Sequence, residues 1–272
     1  MLKVLDLFSG IGGFSLGLER TGGFETVAFC EIEPFPRKVL AKHWPEVPCY
    51  EDVRTLTAAR LAADGIAVDV ITGGFPCQDL SVAGKRAGLD GKRSGLWSEI
   101  VRLTRDLRPR YLIVENVANL LRGPSEKRGG WFGRVLGDMA ELGYDAEWEN
   151  IPAAAVGAPH RRERVWIMAH PTEKYRRKIG PHDWTCLGRK ISNDTGPILV
   201  NQVRWPSPPR MDRVDDGFSR KLDRYAGVGN AVIPQIPEMI GRAILASENM
   251  QTEEGRNVPN PARPRPFQNR QG

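Results

Sequence analysis

Apolar residues in the first two thirds of the chain come in short runs, separated by glycine turns and by stretches of helical periodicity. Residues 3–8 (KVLDLF) are apolar and β-prone, and predict a strand that runs into a tight turn at 9–13 (SGIGG). The next segments predict a helix over 14–22 and a second strand over 25–33. Strand, turn, helix and strand in this order begin a parallel sheet.

The same alternation continues along the chain. Apolar runs predict strands at 68–74 and 110–117, and helical periodicity predicts helices at 96–107 and 133–143. We therefore expect an α/β fold with a mostly parallel, twisted sheet that carries helices on both faces.

Two segments depart from this pattern. Residues 171–215 are polar and rich in Pro and Gly, and their nine Lys and Arg against five Asp and Glu carry +4 of the net charge of +6. Residues 248–272 have the composition of a disordered tail. We expect one large domain from 1–170 and 228–247, and a small basic region at 171–227.

Composition narrows the class of protein. The four cysteines form no C-x-x-C pair and the four histidines do not cluster with them, which favours a reduced, intracellular protein without a structural metal. The N-terminus does not resemble a signal peptide, and no apolar run approaches the ~18–20 residues that span a membrane. A pI of about 9.3 is compatible with a polyanionic partner.

The glycine turn is a candidate ligand site, because ligands of open α/β sheets bind at the carboxyl ends of the strands. Gly10, Gly12 and Gly13 would let a ligand approach the backbone, and Glu31 stands 21 residues after Gly10, where an acid binds a ribose diol. Ser15 replaces the third glycine of a dinucleotide fingerprint, which favours a nucleoside without a diphosphate, such as S-adenosylmethionine. A structural turn with a solvated Glu31 is the alternative.

Cys77 follows the strand at 68–74 in DVITGGFPCQDLS. Pro76 restricts the backbone in front of it, and a cysteine near the start of a helix has a lowered pKa. Cys77 is therefore a candidate nucleophile, and a small buried hydrophobe is the alternative.

Two further groups are expected at the same edge. Glu115 and Asn116 follow four apolar strand residues, and Arg162 and Arg164 stand just before another apolar strand. If the extended backbone continues through them, alternation puts both arginines on one face. For Glu115 and Asn116 the alternative is an ordinary turn at the end of a strand, and for Arg162 and Arg164 it is a run of solvated charges.

Taken together and in this order, these segments resemble the DNA (cytosine-5) methyltransferases of bacteria and phages, in a compact form. The six matching segments are DLFSGIGGF (6–14), GGFPCQDLS (73–81), GKRAGLDGKRSGLW (84–97), ENV (115–117), RRERVW (161–166) and GNAVIPQI (229–236).

The resemblance implies a Rossmann-like fold for S-adenosylmethionine-dependent methyl transfer, with a small target-recognition lobe at 171–227. It implies that Cys77 adds to C6 of a flipped-out cytosine in duplex DNA, and that Glu115 holds N3 and N4 of that base. Arg164, supported by Arg162, would polarise O2, and Asn116 would belong to the same catalytic set.

The resemblance also implies a cofactor site, a DNA-binding set and no metal. The cofactor site, for S-adenosylmethionine and its product S-adenosylhomocysteine, would comprise Phe8, Gly10, Ile11, Gly12, Gly13, Glu31, Ile32, Asp52, Val53, Pro76, Leu96, Asn230, Ala231 and Val232. The DNA-binding residues would be Gln78, Ser81, Lys85, Arg93, Arg176, Arg177 and Lys178.

The expected partner is double-stranded DNA, with a cognate restriction endonuclease as a second candidate, and the expected form is a monomer in the cytoplasm of a bacterium, encoded by that bacterium or by a phage. Three alternatives remain open at this stage. They are an RNA or tRNA cytosine-5 methyltransferase, an NAD-dependent oxidoreductase, and a DNA-binding regulator with a decayed site.

Overall fold

The computed structural model describes residues 1–75, 95–122, 130–158, 160–172 and 231–256. Within them, seven strands form one sheet in the order β3-β2-β1-β4-β5-β7-β6. The strands are β1 (Leu2–Leu7), β2 (Phe24–Cys30), β3 (Cys49–Tyr50), β4 (Val70–Gly73), β5 (Tyr111–Val117), β6 (Tyr144–Pro152) and β7 (Glu163–Pro171). Strands β1 to β5 are parallel, and β7 runs antiparallel to both β5 and β6.

Helices cover both faces of the sheet. They are α1 (Gly13–Glu19), α2 (Pro34–His43), α3 (Ala58–Ala63), α4 (Leu96–Leu107), α5 (Gly130–Glu141) and α6 (Gln235–Arg256). One apolar core lies between the sheet and α3, α4 and α5, and a second lies between the sheet and α1 and α6. The predicted mostly parallel sheet with helices on both faces is confirmed. Among the described helices, none is long and apolar enough to cross a membrane.

Several predicted boundaries are wrong. The second strand ends at Cys30 instead of residue 33, because Pro34 starts a helix and cannot donate to a strand ladder. Strand β6 escaped prediction, since one of its faces is mostly polar (YDAEWENIP) and it lies at the edge of the sheet.

The predicted start of the disordered tail, at residue 248, is also wrong. Helix α6 continues through that position to Arg256. Glu248 accepts a hydrogen bond from the buried Tyr111 hydroxyl at 2.6 Å, and it forms an ion pair with Arg110. These contacts attach the helix to the start of β5.

Helix α1 and residues 231–234, here called the C-terminal segment, approach each other more closely than side chains on α1 would allow. A Cβ on Gly13 would lie 2.4 Å from the carbonyl oxygen of Val232, and a Cβ on Gly17 would lie 2.2 Å from that of Pro234. Only glycine fits at these two positions, so the glycines bring residues 232–234 against α1 and the glycine turn before it.

Replacing Gly17 with Ala should therefore lower the free energy of unfolding by roughly 2 kcal/mol, because backbone atoms cannot yield to the new methyl group. Denaturant titration of the whole chain measures this change. Gly137 is the matched control: it lies in the middle of α5, and within the part of the chain that the structure describes no atom lies within 4 Å of its Cβ position. Gly137→Ala should raise stability by up to about 1 kcal/mol. Equal effects of the two substitutions would contradict the close approach.

Candidate active site

Because β1 to β5 are parallel, their carboxyl ends meet at one edge of the sheet, and the antiparallel β7 begins at that edge. Phe8 follows β1, Glu31 follows β2 and Asp52 follows β3, while Phe75 follows β4 and Glu115 lies near the end of β5. The structure thus brings these residues to one edge, as the sequence predicted for the glycine turn and the strand ends.

Glu31 is 8% exposed, and its carboxylate is held by the backbone on both sides. Oε2 accepts a hydrogen bond from the N–H of Gly10 at 2.7 Å, and Oε1 accepts one from the N–H of Glu33 at 2.8 Å. Each oxygen keeps a further lone pair, so the carboxylate can also accept bonds from a pair of hydroxyl groups. The neighbouring Ile32 is 51% exposed, which leaves an apolar surface beside the carboxylate.

The three glycines of the turn serve different purposes. Gly10 adopts φ +53°, and no atom of the described residues lies within 4 Å of its Cβ position, so that side of the turn is open among them. Gly12 adopts φ +85°, and a Cβ there would lie 2.6 Å from the ring of Trp44, while Gly13 makes room for Val232. Packing within the protein therefore accounts for Gly12 and Gly13.

Phe8, the first residue after β1, has a left-handed backbone with φ +52°. That conformation is unfavourable for a bulky residue and is held where the surrounding structure imposes it. Its side chain is partly buried and packs against the core on the α4 side of the sheet. The strain identifies this strand end as a place where backbone geometry is constrained.

The Asp52 carboxylate is already engaged. Its Oδ1 accepts hydrogen bonds from the backbone N–H and from Nε of Arg54, both at 2.9 Å, and its Oδ2 accepts one from the guanidinium at 2.7 Å. These bonds lower the pKa of Asp52. A ligand that binds Asp52 must share it with Arg54.

The structure describes five more of the predicted cofactor residues. Val53 is buried, and Leu96 starts α4. Ile11, Ala231 and Val232 are each partly buried.

Glu115 is buried, at 8% exposure, beside two arginines. Its Oε1 lies 2.8 Å from Nε of Arg164 and 3.9 Å from a terminal nitrogen of Arg162. Both arginines therefore reach the same carboxylate oxygen, as predicted from their alternation, although β7 begins at Glu163 and Arg162 lies just before it. Burial raises the pKa of Glu115, and the charges of Arg164 and Arg162 partly oppose that rise.

The other carboxylate oxygen faces the chain that continues towards Cys77. A Cβ on Gly74 would lie 3.3 Å from Oε2 of Glu115. The side-chain amide of Asn116, which is 2% exposed, donates to the carbonyl oxygen of Phe75 at 3.2 Å. Asn116 thus fixes the backbone directly ahead of Pro76 and Cys77.

Arg162 also connects two parts of the chain that are distant in sequence. Its guanidinium donates to the carbonyl oxygen of Ala231 at 2.5 Å while it lies beside Glu115. The C-terminal segment is therefore attached directly to the arginine–carboxylate cluster.

Some predicted residues lie outside the described part of the chain. They are Cys77, Pro76, Gln78, Ser81, Lys85, Arg93, Arg176, Arg177, Lys178 and Asn230. In the ranges that the structure describes, no group of three or more His, Cys, Asp or Glu could hold a metal ion.

Sequence reasoning missed a buried polar group beneath the turn. Asp6, on β1, is fully buried and accepts hydrogen bonds from the hydroxyls of Ser15 and Thr72. The available signal was an acidic residue inside the apolar run KVLDLF, because a buried carboxylate needs donors.

Chemically, this edge combines a carboxylate suited to a diol with a second, buried carboxyl group between guanidinium groups. A carboxyl group of raised pKa can share a proton with a ring nitrogen, and an adjacent guanidinium can donate to a ring oxygen. The Glu115 carboxyl group also lies beside the backbone that leads to a cysteine.

Several known proteins have sequences related to this chain. The family model of the C-5 cytosine-specific DNA methylases matches residues 2–203. The Type II methyltransferase M2.BsuMI of Bacillus subtilis is 37% identical over 172 residues, which cover 62% of this chain and 42% of that protein. The Type II methyltransferase M.Sau3AI of Staphylococcus aureus is 38% identical over 185 residues, covering 62% of this chain and 43% of that protein. The chain thus spans about two fifths of the length of these curated relatives.

A solved structure shares the fold. It is described as a DNA modification methyltransferase encoded within an Escherichia coli prophage, and it matches with a TM-score of 0.54 and 30% identity over 64% of this chain and 48% of its own. The family model covers well over half of the chain, and the arginine–carboxylate cluster at Glu115 lies within the matched residues. This chain therefore belongs to the C-5 cytosine-specific DNA methylase family.

Proposed function

We propose that this chain is a DNA (cytosine-5) methyltransferase that moves a methyl group from S-adenosylmethionine to C5 of a cytosine in duplex DNA. The observation that carries the proposal is the arginine–carboxylate cluster, in which the buried carboxyl group of Glu115 contacts Arg162 and Arg164. Asn116, the next residue, holds the backbone ahead of Cys77. Family membership and the methyltransferase relatives support the same activity.

The residues of the turn fit S-adenosylmethionine, which supplies an electrophilic methyl group on a sulfonium. Glu31 would accept the two ribose hydroxyls through the lone pairs that Gly10 and Glu33 leave available. Ile32 would cover one face of the adenine, and Asp52 would accept its amine while keeping Arg54. The remaining contacts would come from Phe8, Gly10, Ile11, Gly12, Gly13, Val53, Pro76, Leu96, Asn230, Ala231 and Val232.

The same geometry disfavours a dinucleotide. A pyrophosphate binds to free backbone N–H groups at a glycine turn. Here the N–H of Gly10 is bonded to Glu31, and Trp44 and Val232 fill the space at Gly12 and Gly13. The N–H of Gly12 is bonded as well, to the carbonyl oxygen of Ser9 at 2.9 Å, so the turn leaves few N–H groups for a diphosphate. This argues against the NAD-dependent alternative.

The chemistry at the base follows from the weak nucleophilicity of cytosine C5. The Cys77 thiolate would add to C6, and the resulting ring electrons at C5 would attack the methyl group. Glu115, whose pKa burial raises, would share its proton with N3 and accept from the N4 amine, while Arg164 and Arg162 would donate to O2. Loss of the C5 proton to a base then expels the Cys77 thiolate and restores the aromatic ring.

C6 cannot be reached inside a stacked duplex, so the cytosine must turn out of the helix. The basic region at 171–227 would act as the target-recognition lobe, and residues 1–170 with 228–247 would form the catalytic domain. Gln78, Ser81, Lys85, Arg93, Arg176, Arg177 and Lys178 would contact DNA. Phosphate contacts position a protein without specifying a sequence, so target choice lies with base-edge contacts.

The relatives also indicate a setting. Because they are Type II methyltransferases, we propose a role in DNA modification inside a bacterium, with a cognate restriction endonuclease as a candidate partner. A monomer is the proposed form.

The reaction is tested with the purified chain, methyl-labelled S-adenosylmethionine, and duplex DNA or tRNA as the acceptor. We expect label in DNA, and we expect Cys77→Ser to lose all detectable transfer, because a hydroxyl is a far weaker nucleophile than a thiolate. Cys49→Ser is the control and should retain activity. An active Cys77→Ser variant would contradict the assigned nucleophile, and transfer to tRNA alone would contradict the DNA substrate.

The cofactor site is tested by calorimetric titration with S-adenosylmethionine. Glu31→Ala should raise its Kd by about tenfold or more, because bonds to a carboxylate contribute about 1.5–3 kcal/mol. Glu33→Ala is the matched control, since that side chain is exposed and only its backbone N–H bonds Glu31. Unchanged affinity in Glu31→Ala would remove Glu31 from the site.

A further inference from the structure

A fully buried carboxylate lies between the glycine turn and the strand that leads to the nucleophile. The side chain of Asp6, near the end of β1, is 0% exposed. Its Oδ2 accepts a hydrogen bond from the Ser15 hydroxyl at 2.8 Å, and its Oδ1 accepts one from the Thr72 hydroxyl at 2.7 Å. We propose that Asp6 is a positioning residue: by holding one hydroxyl group from α1 and one from β4, it sets the glycine turn, where the methyl donor would bind, against the strand that leads to Cys77.

The two hydroxyls belong to the two elements that must be aligned. Ser15 lies in α1, directly after the glycine turn, and it occupies the position that is glycine in a dinucleotide fingerprint. Thr72 lies on β4 opposite Asp6, one residue before the glycines that lead to Phe75 and Cys77. A single carboxylate therefore connects α1 to β4 through side chains as well as through the sheet.

The backbone of Asp6 adds a third contact. Its carbonyl oxygen accepts the Ser9 hydroxyl at 2.5 Å, and the oxygen of that hydroxyl accepts the N–H of Cys30 at 3.2 Å. The start of the turn is thus held to the end of β2, one residue before Glu31. Asp6 lies at the centre of the polar contacts under the turn.

A carboxylate is a costly way to fill a buried position between strands. Desolvation disfavours its charged form, and an apolar side chain of similar size packs there at lower cost. Bonds from a hydroxyl to a carboxylate are shorter and more strongly directed than neutral bonds. A carboxylate at this position therefore lowers the stability of the fold but fixes the geometry around it. Fixed geometry matters where reacting atoms must be aligned within a fraction of an ångström.

The charge on Asp6 also depends on pH in the useful range. Burial raises the pKa of Asp6 to about 7, and the negative charge of Glu31 adds to the rise, while the hydroxyls of Thr72 and Ser15 oppose it. The charged group that acts on Asp6 is Glu31, which lies just after β2. The side chains that α1 and β4 place against Asp6, Ser15 and Thr72, are neutral. Only the ionised Asp6 carboxylate accepts a hydrogen bond from both hydroxyls without a proton of its own to donate. We therefore expect the alignment of the glycine turn with β4 to improve as the pH rises through 7.

The inference rests on the proposed methyl transfer, and it is tested on the whole chain by removing each hydroxyl separately. Ser15→Ala should raise the Kd for S-adenosylmethionine by about tenfold, the loss expected for one bond to a charged group. Thr72→Val should leave that Kd unchanged and lower the single-turnover rate of methyl transfer to DNA by about tenfold.

Thr26→Val is the matched control, because Thr26 lies on β2, is 3% exposed, and has a hydroxyl without a hydrogen-bond partner among the described residues. Thr26→Val should change neither the Kd for S-adenosylmethionine nor the single-turnover rate of methyl transfer. If Ser15→Ala and Thr72→Val lower only the stability to denaturant, with Kd and rate as in the wild type, Asp6 is structural and the inference is wrong.

A pH profile supplies the second readout. The ratio of the wild-type rate to the Asp6→Asn rate should increase from pH 6 to pH 8, because the two proteins differ in the one group at position 6, which titrates in the wild type and not in the variant. A ratio that does not change with pH would contradict the role of the ionised carboxylate. A wild-type chain that neither binds S-adenosylmethionine nor methylates DNA would overturn the proposed function instead, before any variant is compared.

Discussion

Three carboxylates are buried at one edge of a parallel sheet, and the architecture of the site depends on satisfying them. Asp6, Glu31 and Glu115 are each 8% exposed or less. A carboxylate removed from water is costly unless donors replace the water, and here each has its own. Hydroxyls serve Asp6, backbone N–H groups serve Glu31, and guanidinium groups serve Glu115. These donors come from elements far apart in sequence, so satisfying the charges also fixes where the elements lie.

The C-terminal segment completes this arrangement from the opposite end of the chain. Gly13 and Gly17 let the backbone at 232–234 approach α1, and Arg162 bonds the carbonyl oxygen of Ala231 while it lies beside Glu115. The segment therefore contacts both the element that follows the glycine turn and the cluster proposed to hold the base. This explains how a short stretch near the end of the chain can belong to a site built mainly by the first five strands.

Much of this could be predicted from the sequence, where the evidence was local. Apolar runs marked most of the strands, and residue alternation put Arg162 and Arg164 on one face, where both reach Glu115. The link from Asp6 to Thr72 spans 66 residues, and no local pattern indicates such a pair. The roles of Gly12 and Gly13 were also hidden, because only the fold brings Trp44 and Val232 against them. Strand β6 was missed because one of its faces is mostly polar at the sheet edge.

Bisulfite sequencing measures whether this chain methylates cytosine in DNA with the arginine–carboxylate cluster at Glu115. The DNA would come from a host without other cytosine methylation, expressing either the wild type or Glu115→Gln, which keeps the shape of the side chain and loses its acidic proton. We expect wild-type expression to protect cytosines within one short sequence motif and Glu115→Gln to protect none. Protection by both proteins would contradict the role given to Glu115, and protection by neither, with folded protein present, would contradict DNA as the substrate.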